Sequence, residues 1–179
     1  MSIEQLEAVS FLENSETERQ LVAFKVGEEV YGVDIAHIHT IITPQPITFV
    51  PRAPRFVKGV MNLRGRVLPV IDLRTRFGLE PLSEAQQKNS RIVIVDVDGL
   101  SAGLIVDAVS EVLRLPADAI DRPSQLVASI ETECITGIGK VAGNRNDGVD
   151  HLIILLDVYK TLITCSYDAS ALESLQKAA

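Results

Sequence analysis

One ribbon plan, written twice, constrains this chain more than any other feature. Residues 21–41 resemble residues 92–112 at a constant offset: Phe24 falls on Val95, Val26 on Val97, Gly32 on Gly103, Val33 on Leu104, Ile38 on Val109 and Ile41 on Val112. Further along, Gly59-Val60 falls on Gly137-Ile138, and Leu68-Pro69-Val70-Ile71-Asp72-Leu73 on Ile153-Ile154-Leu155-Leu156-Asp157-Val158. The spacing widens between those anchors because the polar loop Asn144 to Asp150 is longer. Short apolar runs bounded by turn residues read as strands. Leu21 to Val26 and Val30 to Ile35 flank Gly27-Glu28-Glu29, Val57 to Asn62 and Arg66 to Ile71 flank Leu63-Arg64-Gly65, and Arg91 to Val97 and Leu100 to Val106 flank Asp98-Gly99. Glycine accepts positive φ, so the last of these is a favoured tight hairpin turn. A further run from Val109 to Leu115 ends at Pro116, and Ile135 to Val141 and Leu152 to Leu156 make the last pair. Each copy holds about five short strands, too few for a sandwich of its own, and closing so small a sheet into a barrel removes its exposed edges. The expectation is an all-β chain of two small five-stranded β-barrels packed together, their shared seam burying faces that neither half covers alone.

Around this frame the chain is simpler. Residues 1–18 are acidic, with Glu4, Glu7, Glu13, Glu16 and Glu18, and read as a solvated flexible tail. Residues 166–179 place Ala171, Leu172 and Leu175 at helical spacing behind Asp168 or Ser170, a C-terminal helix or tail. Asp72 and Asp157 are each positioned to cap a short helix. Gly78 to Ser90 is polar and reads as a connector. No apolar stretch follows a basic start, and the uncharged run Ile35 to Val50 is broken by His37, His39, Pro44 and Pro46, so no leader or membrane span is expected. The two cysteines, Cys134 and Cys165, form no CxxC and fit reduced thiols in a cytosol.

Catalytic patterns are missing from the sequence. It holds no GxSxG, no HExxH and no phosphate-binding loop. Gly137-x-Gly139-x-x-x-Gly143 has the wrong spacing for a dinucleotide fingerprint. His37-x-His39 would set two imidazoles on one strand face, but two ligands do not make a metal site, and surface or hydrogen-bonded histidines are the plainer reading. Asp34, Asp72, Asp96, Asp107 and Asp157 lie near strand ends, where turn and helix-cap roles outweigh acid–base work.

The charge distribution is uneven. The chain has formal net charge −7, yet Pro51 to Arg76 carries Arg52, Arg55, Lys58, Arg64, Arg66, Arg74 and Arg76 against Asp72 alone. A solvated barrel surface explains such a stripe. So does docking to an acidic protein, because guanidinium forks pair with carboxylates bidentately. Nucleic acid fits less well, since aromatics are only 4% with no Trp and the rest of the chain is acidic.

The segment Phe56-Val57-Lys58-Gly59-Val60-Met61-Asn62-Leu63-Arg64-Gly65-Arg66-Val67-Leu68-Pro69-Val70-Ile71-Asp72-Leu73-Arg74 closely resembles the signature of the CheW-like domain family, the coupling proteins of bacterial chemotaxis and the related domains of the histidine kinase CheA and of CheV. Val30 to Ile35, Val106 to Leu113 and Thr136-Gly137-Ile138-Gly139 match as well, and the resemblance spans residues 19–165. It implies two Src-homology-3-like (SH3-like) barrels, intertwined subdomains of which the second is mainly residues 90–150. It also implies a non-enzymatic adaptor without cofactor or metal. Its partners would be the cytoplasmic tips of methyl-accepting chemoreceptors and the regulatory domain of CheA. Such a protein would be cytoplasmic, recruited to receptor arrays, with no direct membrane insertion and no nucleic acid partner. Carried over by residue, the binding surface comprises Ile38, Thr40, Asn62, Arg64, Gly65, Gly103 and Val112. Core burial is the competing reading for Ile38 and Val112, and turn or packing geometry for Gly59, Gly65 and Gly103. Many family members carry Glu where this chain has Thr40, able to pair with the arginine at Arg64. Without it, Arg64 is freer or pairs elsewhere, for example with Glu111. The departure leaves two outputs open, flagellar chemotaxis and a related array for surface, pilus-based motility. A small metal-dependent enzyme built on His37 and His39 is the rival from another class.

Overall fold

In the opening strand of each repeat, alternate residues fill different cores. The computed structural model describes residues 18–123, 133–143 and 149–163; residues 1–17 of the acidic tail, the 144–148 loop, Cys165 and the C-terminal helix expected over 166–179 lie outside them, while Glu18, assigned to the tail, opens the first strand. In β1 (Glu18–Val26), Leu21 and Ala23 enter one aliphatic cluster while Phe24 and Val26 enter another. In β6 (Arg91–Val97), Ile92 and Ile94 enter a third cluster while Val93, Val95 and Val97 join Phe24 and Val26. A strand buried on both faces reads as a nearly continuous apolar run, because successive side chains point to opposite sides.

The remaining strands are β2 (Glu29–Asp34), β3 (Ile38–Ile42), β4 (Val57–Leu63), β5 (Arg66–Asp72), β7 (Leu100–Val106), β8 (Ala108–Pro116), β9 (Ile120–Asp121), β10 (Ile135–Val141) and β11 (His151–Leu156). They form two sheets, ordered β8-β1-β2-β11-β10-β9 and β3-β6-β7-β5-β4. The repeat is visible throughout: β1 to β5 correspond in turn to β6, β7, β8, β10 and β11. Neither sheet is made from one copy. β3, β4 and β5 of the first copy complete the sheet begun by β6 and β7, and β8, β10 and β11 of the second complete the sheet begun by β1 and β2. The joins between copies are the antiparallel pairs β1–β8 and β3–β6 and the parallel pairs β5–β7 and β11–β2.

Every strand of each sheet contributes to that sheet's own cluster. Met61, Leu68, Val70, Ile92 and Ile94 with Ile42 and Ile105 fill one, and Leu21, Ala23, Leu115, Ile153 and Leu155 with Val30, Ile120 and Val141 fill the other. That is the packing of a small rolled sheet, and the all-β architecture follows the expectation. Between the sheets lies the seam, where Phe24, Tyr31 and Val33 meet Val57, Ile71, Val95 and Leu104. Tyr31 stacks on Phe77 with ring centroids 5.0 Å apart.

Short helices close corresponding corners. Asp72 caps α1 (Leu73–Arg76) by accepting from the Arg74 N–H at 3.0 Å, and Asp157 caps the later helix Val158–Ile163 by accepting from the Lys160 N–H at 2.9 Å. The two corners match in backbone too, with Asp72 N–H donating to Phe56 O and Asp157 N–H to Cys134 O, both at 2.7 Å. The polar connector expected over Gly78 to Ser90 contains one further helical turn, α2 (Glu84–Gln87), held by a capping box with Ser83. It is too short to show helical periodicity. With it counted, Val158–Ile163 is α3.

A polar clamp joins the sheets. Asp107, between β7 and β8, accepts from the Gly27 N–H of the β1–β2 turn at 2.8 Å and forms an ion pair with Arg74 of α1. The Arg74 Nε–H also donates to Glu80 O at 2.7 Å.

Candidate protein-binding surface

The β4–β5 hairpin places an exposed arginine in an unfavourable backbone conformation. Leu63 pairs with Arg66, so the turn consists of Arg64 and Gly65, at φ 51° and 83°. The β6–β7 turn has the same shape with Asp98 and Gly99, at φ 52° and 82°. Asp-Gly is ordinary there, whereas Arg at positive φ costs roughly 1 kcal/mol or more. The Asn62 side chain steadies the turn, its Oδ1 accepting from the Gly65 N–H at 2.9 Å. A Cβ on Gly65 would meet nothing within 4 Å, so this glycine serves the turn's φ alone.

β3 runs beside this tip. Thr40 pairs with Ile94 across a bulge and lines a hollow of about 80 Å³ with His39, Arg64, Arg66, Asp96 and Ser101, over Leu63, Leu68 and Ile94. Ser101 donates to the Asp96 carboxylate and accepts from Arg66 Nη2 at 3.4 Å. Among the described residues Arg64 forms no ion pair. Glu111 stands opposite Ala23 on the other sheet and forms none either, so the Arg64–Glu111 pairing weighed from sequence is not made.

Of the seven residues carried over from the family, four meet here: Thr40, Asn62, Arg64 and Gly65. Ile38 begins the same strand but is half-buried, packed against the seam. Val112 lies on β8 of the other sheet, 57% exposed, which removes the core reading for it. Gly103 is buried, and a Cβ there would lie 2.8 Å from Ile92 Cγ2, so it serves close packing and offers no contact surface.

Two sequence readings need correction. His37 and His39 do not share a strand face. Asp34 accepts from the Ala36 N–H at 3.0 Å and turns Ile35–His37 into a 3-10 turn, so β3 starts at Ile38. The basic stripe is also broken up. Lys58 lies 3.4 Å from Asp72, Arg74 is held by Asp107, and Arg76 packs over Phe56 with its Nη2 on Cys134 Sγ at 2.8 Å. Arg52, Arg55, Arg64 and Arg66 remain exposed. The strand-end position of Asp107 pointed to a turn role, which its bond to the Gly27 N–H fulfils; its ion pair with Arg74 is what sequence reasoning missed, because spacing along the chain does not show a contact 33 residues away.

A wider groove of about 520 Å³ lies over Ile47, Ile92 and Ile105. Its Lys58 and Asp72 face one another at 3.4 Å, and Arg74 is paired with Asp107. Among the described residues no helix is long and apolar enough to cross a membrane.

Comparison with known proteins points the same way. The family model described as the CheW-like domain matches residues 20–164. A chemotaxis protein CheW of Klebsiella aerogenes is 32% identical over 157 residues, 88% of this chain and 89% of that protein. Protein FrzA of Myxococcus xanthus is 30% identical over 158 residues, 86% of this chain and 91% of that protein. The crystal structure of the scaffolding protein TtCheW from Thermoanaerobacter tengcongensis is similar with a TM-score of 0.67 at 40% identity, covering 78% of this chain and 88% of that one.

Proposed function

The chain belongs to the CheW-like domain family, whose members are non-enzymatic scaffold proteins, and from that premise we propose that it couples methyl-accepting chemoreceptors to the regulatory domain of the histidine kinase CheA. The observation that carries this reading is Arg64. A cation is held out on a strained turn, without an internal partner among the described residues, beside a hollow that Thr40 leaves open. A guanidinium so placed pairs with a partner's carboxylate without first breaking an ion pair to any described residue. Ile38, Asn62 and Gly65 support the same edge, and Val112 offers an apolar contact on the neighbouring sheet. A rigid double sheet with separate patches binds two partners at once, which raises effective concentration without strong individual affinities. Receptor state then alters kinase output only if it changes the free energy of the kinase contact. On this reading the protein works in the cytoplasm, drawn to membrane-bound arrays by its partners.

The test is co-sedimentation of the protein and CheA with receptor-bearing membranes. Arg64→Glu, with its fold checked by circular dichroism, is expected to weaken association with at least one partner by about tenfold or more, as charge reversal at a docking site does. Undiminished recovery of both partners by a folded variant would overturn the assignment. The second reading is an adaptor of a related array with a surface-motility output; the similarity to Protein FrzA, a relative not named for chemotaxis, is compatible with it. Swapping receptors and kinases from the two kinds of array in the same assay separates the readings.

A further inference from the structure

The turn that presents Arg64 has a complementary segment in its own chain. Arg64 and Arg66 are both exposed, and neither forms an ion pair among the described residues; Asp96 is the carboxylate that shares their hollow. The first seventeen residues carry Glu4, Glu7, Glu13 and Glu16 with no Lys or Arg, interleaved with Ile3, Leu6, Val9, Phe11 and Leu12. That composition is the one an acidic, partly apolar partner of this surface would have.

The point of attachment also fits. The segment joins the fold at Glu18, where β1 begins, and next to it Arg19 lies 3.4 Å from Asp34. Asp34 caps the Ile35–His37 turn that feeds β3, and β3 supplies Thr40 and His39 to the hollow. Seventeen residues span at most roughly 60 Å when extended, so reach is not limiting. A tether this short keeps its glutamates at an effective concentration on the order of millimolar at nearby sites, enough for weak charge pairing to be populated. The pairing would weaken as salt screens it.

We propose that residues 1–17 dock through their glutamates on the Arg64–Arg66 turn and act as a tethered competitor of the acidic partner. The docking half stands without any partner, whereas the competition half rests on the adaptor reading above. A partner then binds only as the segment is displaced, and its apparent association constant is the intrinsic one multiplied by the fraction of molecules in which the surface is free.

A nitroxide at Ser2→Cys in the full-length chain tests the docking directly. The label is placed in a Cys165→Ser background, with Cys134 only 1% exposed. The amide signals of Arg64, Gly65 and Arg66 are expected to lose intensity through paramagnetic broadening at low salt. They are expected to regain it at high salt, and also when Glu4, Glu7, Glu13 and Glu16 are all changed to Gln. Turn amides that keep full intensity would overturn the proposal. So would broadening that persists unchanged in the Gln variant, since the contact would then not be charge pairing. No kinase or receptor is in the tube, so failure here leaves the adaptor reading untouched. Failure of the adaptor assay likewise leaves this contact standing.

Discussion

Arg64 occupies backbone geometry that asparagine, aspartate or glycine adopts at less cost, and the same molecule uses Asp98 in the matching turn. On the adaptor reading, a residue that strains its own turn and makes no ion pair among the described residues serves a partner, not the fold. Arg64→Asn is therefore expected to raise stability by about 1 kcal/mol in denaturant unfolding while reducing partner binding. A variant that loses stability would show that the side chain packs favourably at home. The motif made Arg64 and Gly65 legible in the sequence. The fates of Arg74 and Arg76 were not legible, because a run of cations does not say which of them meets a carboxylate or a ring. Tyr31 gives a second prediction at this scale. Burial, and secondarily Glu29, raise its phenol above the ordinary value of 10.0. The unfolded chain then releases this proton first as pH climbs, so the native state binds more protons and stability falls above about pH 10. Urea unfolding at pH 9 and above should show Tyr31→Phe with a shallower loss than the unsubstituted chain; equal slopes would mean another group controls the alkaline limb.

At the scale of single elements, two glycines of one hairpin have different roles. Gly59 sits at the β4 bulge at φ 147°, and a Cβ there would come within 2.0 Å of Thr48 O. Thr48 and Val60 exchange backbone hydrogen bonds of 2.8 and 2.9 Å at that crossing, so any side chain at Gly59 must break them. Gly65, with open space around it, carries only a conformational demand. Thermal unfolding is expected to show Gly59→Ala losing about 3 kcal/mol or more and Gly65→Ala about 1 kcal/mol. Similar losses at both would mean that the loop carrying Thr48 moves aside. The strands that bury two faces, β1 and β6, were plain in the sequence because each carries an unbroken apolar run, Leu21 to Phe24 and Ile92 to Val95. β3 was less plain. Ile38-His39-Thr40-Ile41-Ile42 is half exposed, and the 3-10 turn before it depends on the Asp34 cap, which strand alternation does not register.

The repeat predicts two alike bodies, and the molecule has them, but no local pattern says which strands pair. Hydrophobic alternation fixes a strand's inward face and leaves its neighbour in the sheet undetermined. The structure resolves this by exchange. The β1–β2 hairpin lies in the sheet with β8 and β11, and the β6–β7 hairpin in the sheet with β3 and β5. Each copy alone therefore lacks strands that cover its own aliphatic cluster, and the seam needs both. Pairings at such long sequence separation also make folding slow compared with a chain of local contacts. The chain should accordingly unfold in a single transition despite its two sheets. Divided in the connector, as residues 1–88 and 89–179, each fragment should give the collapsed amide dispersion of an unfolded chain. Mixing the two should restore the native spectrum, because every exchanged strand then finds its sheet. One fragment folding alone to near-native stability would mean that the halves are independent barrels and that exchange between them is dispensable.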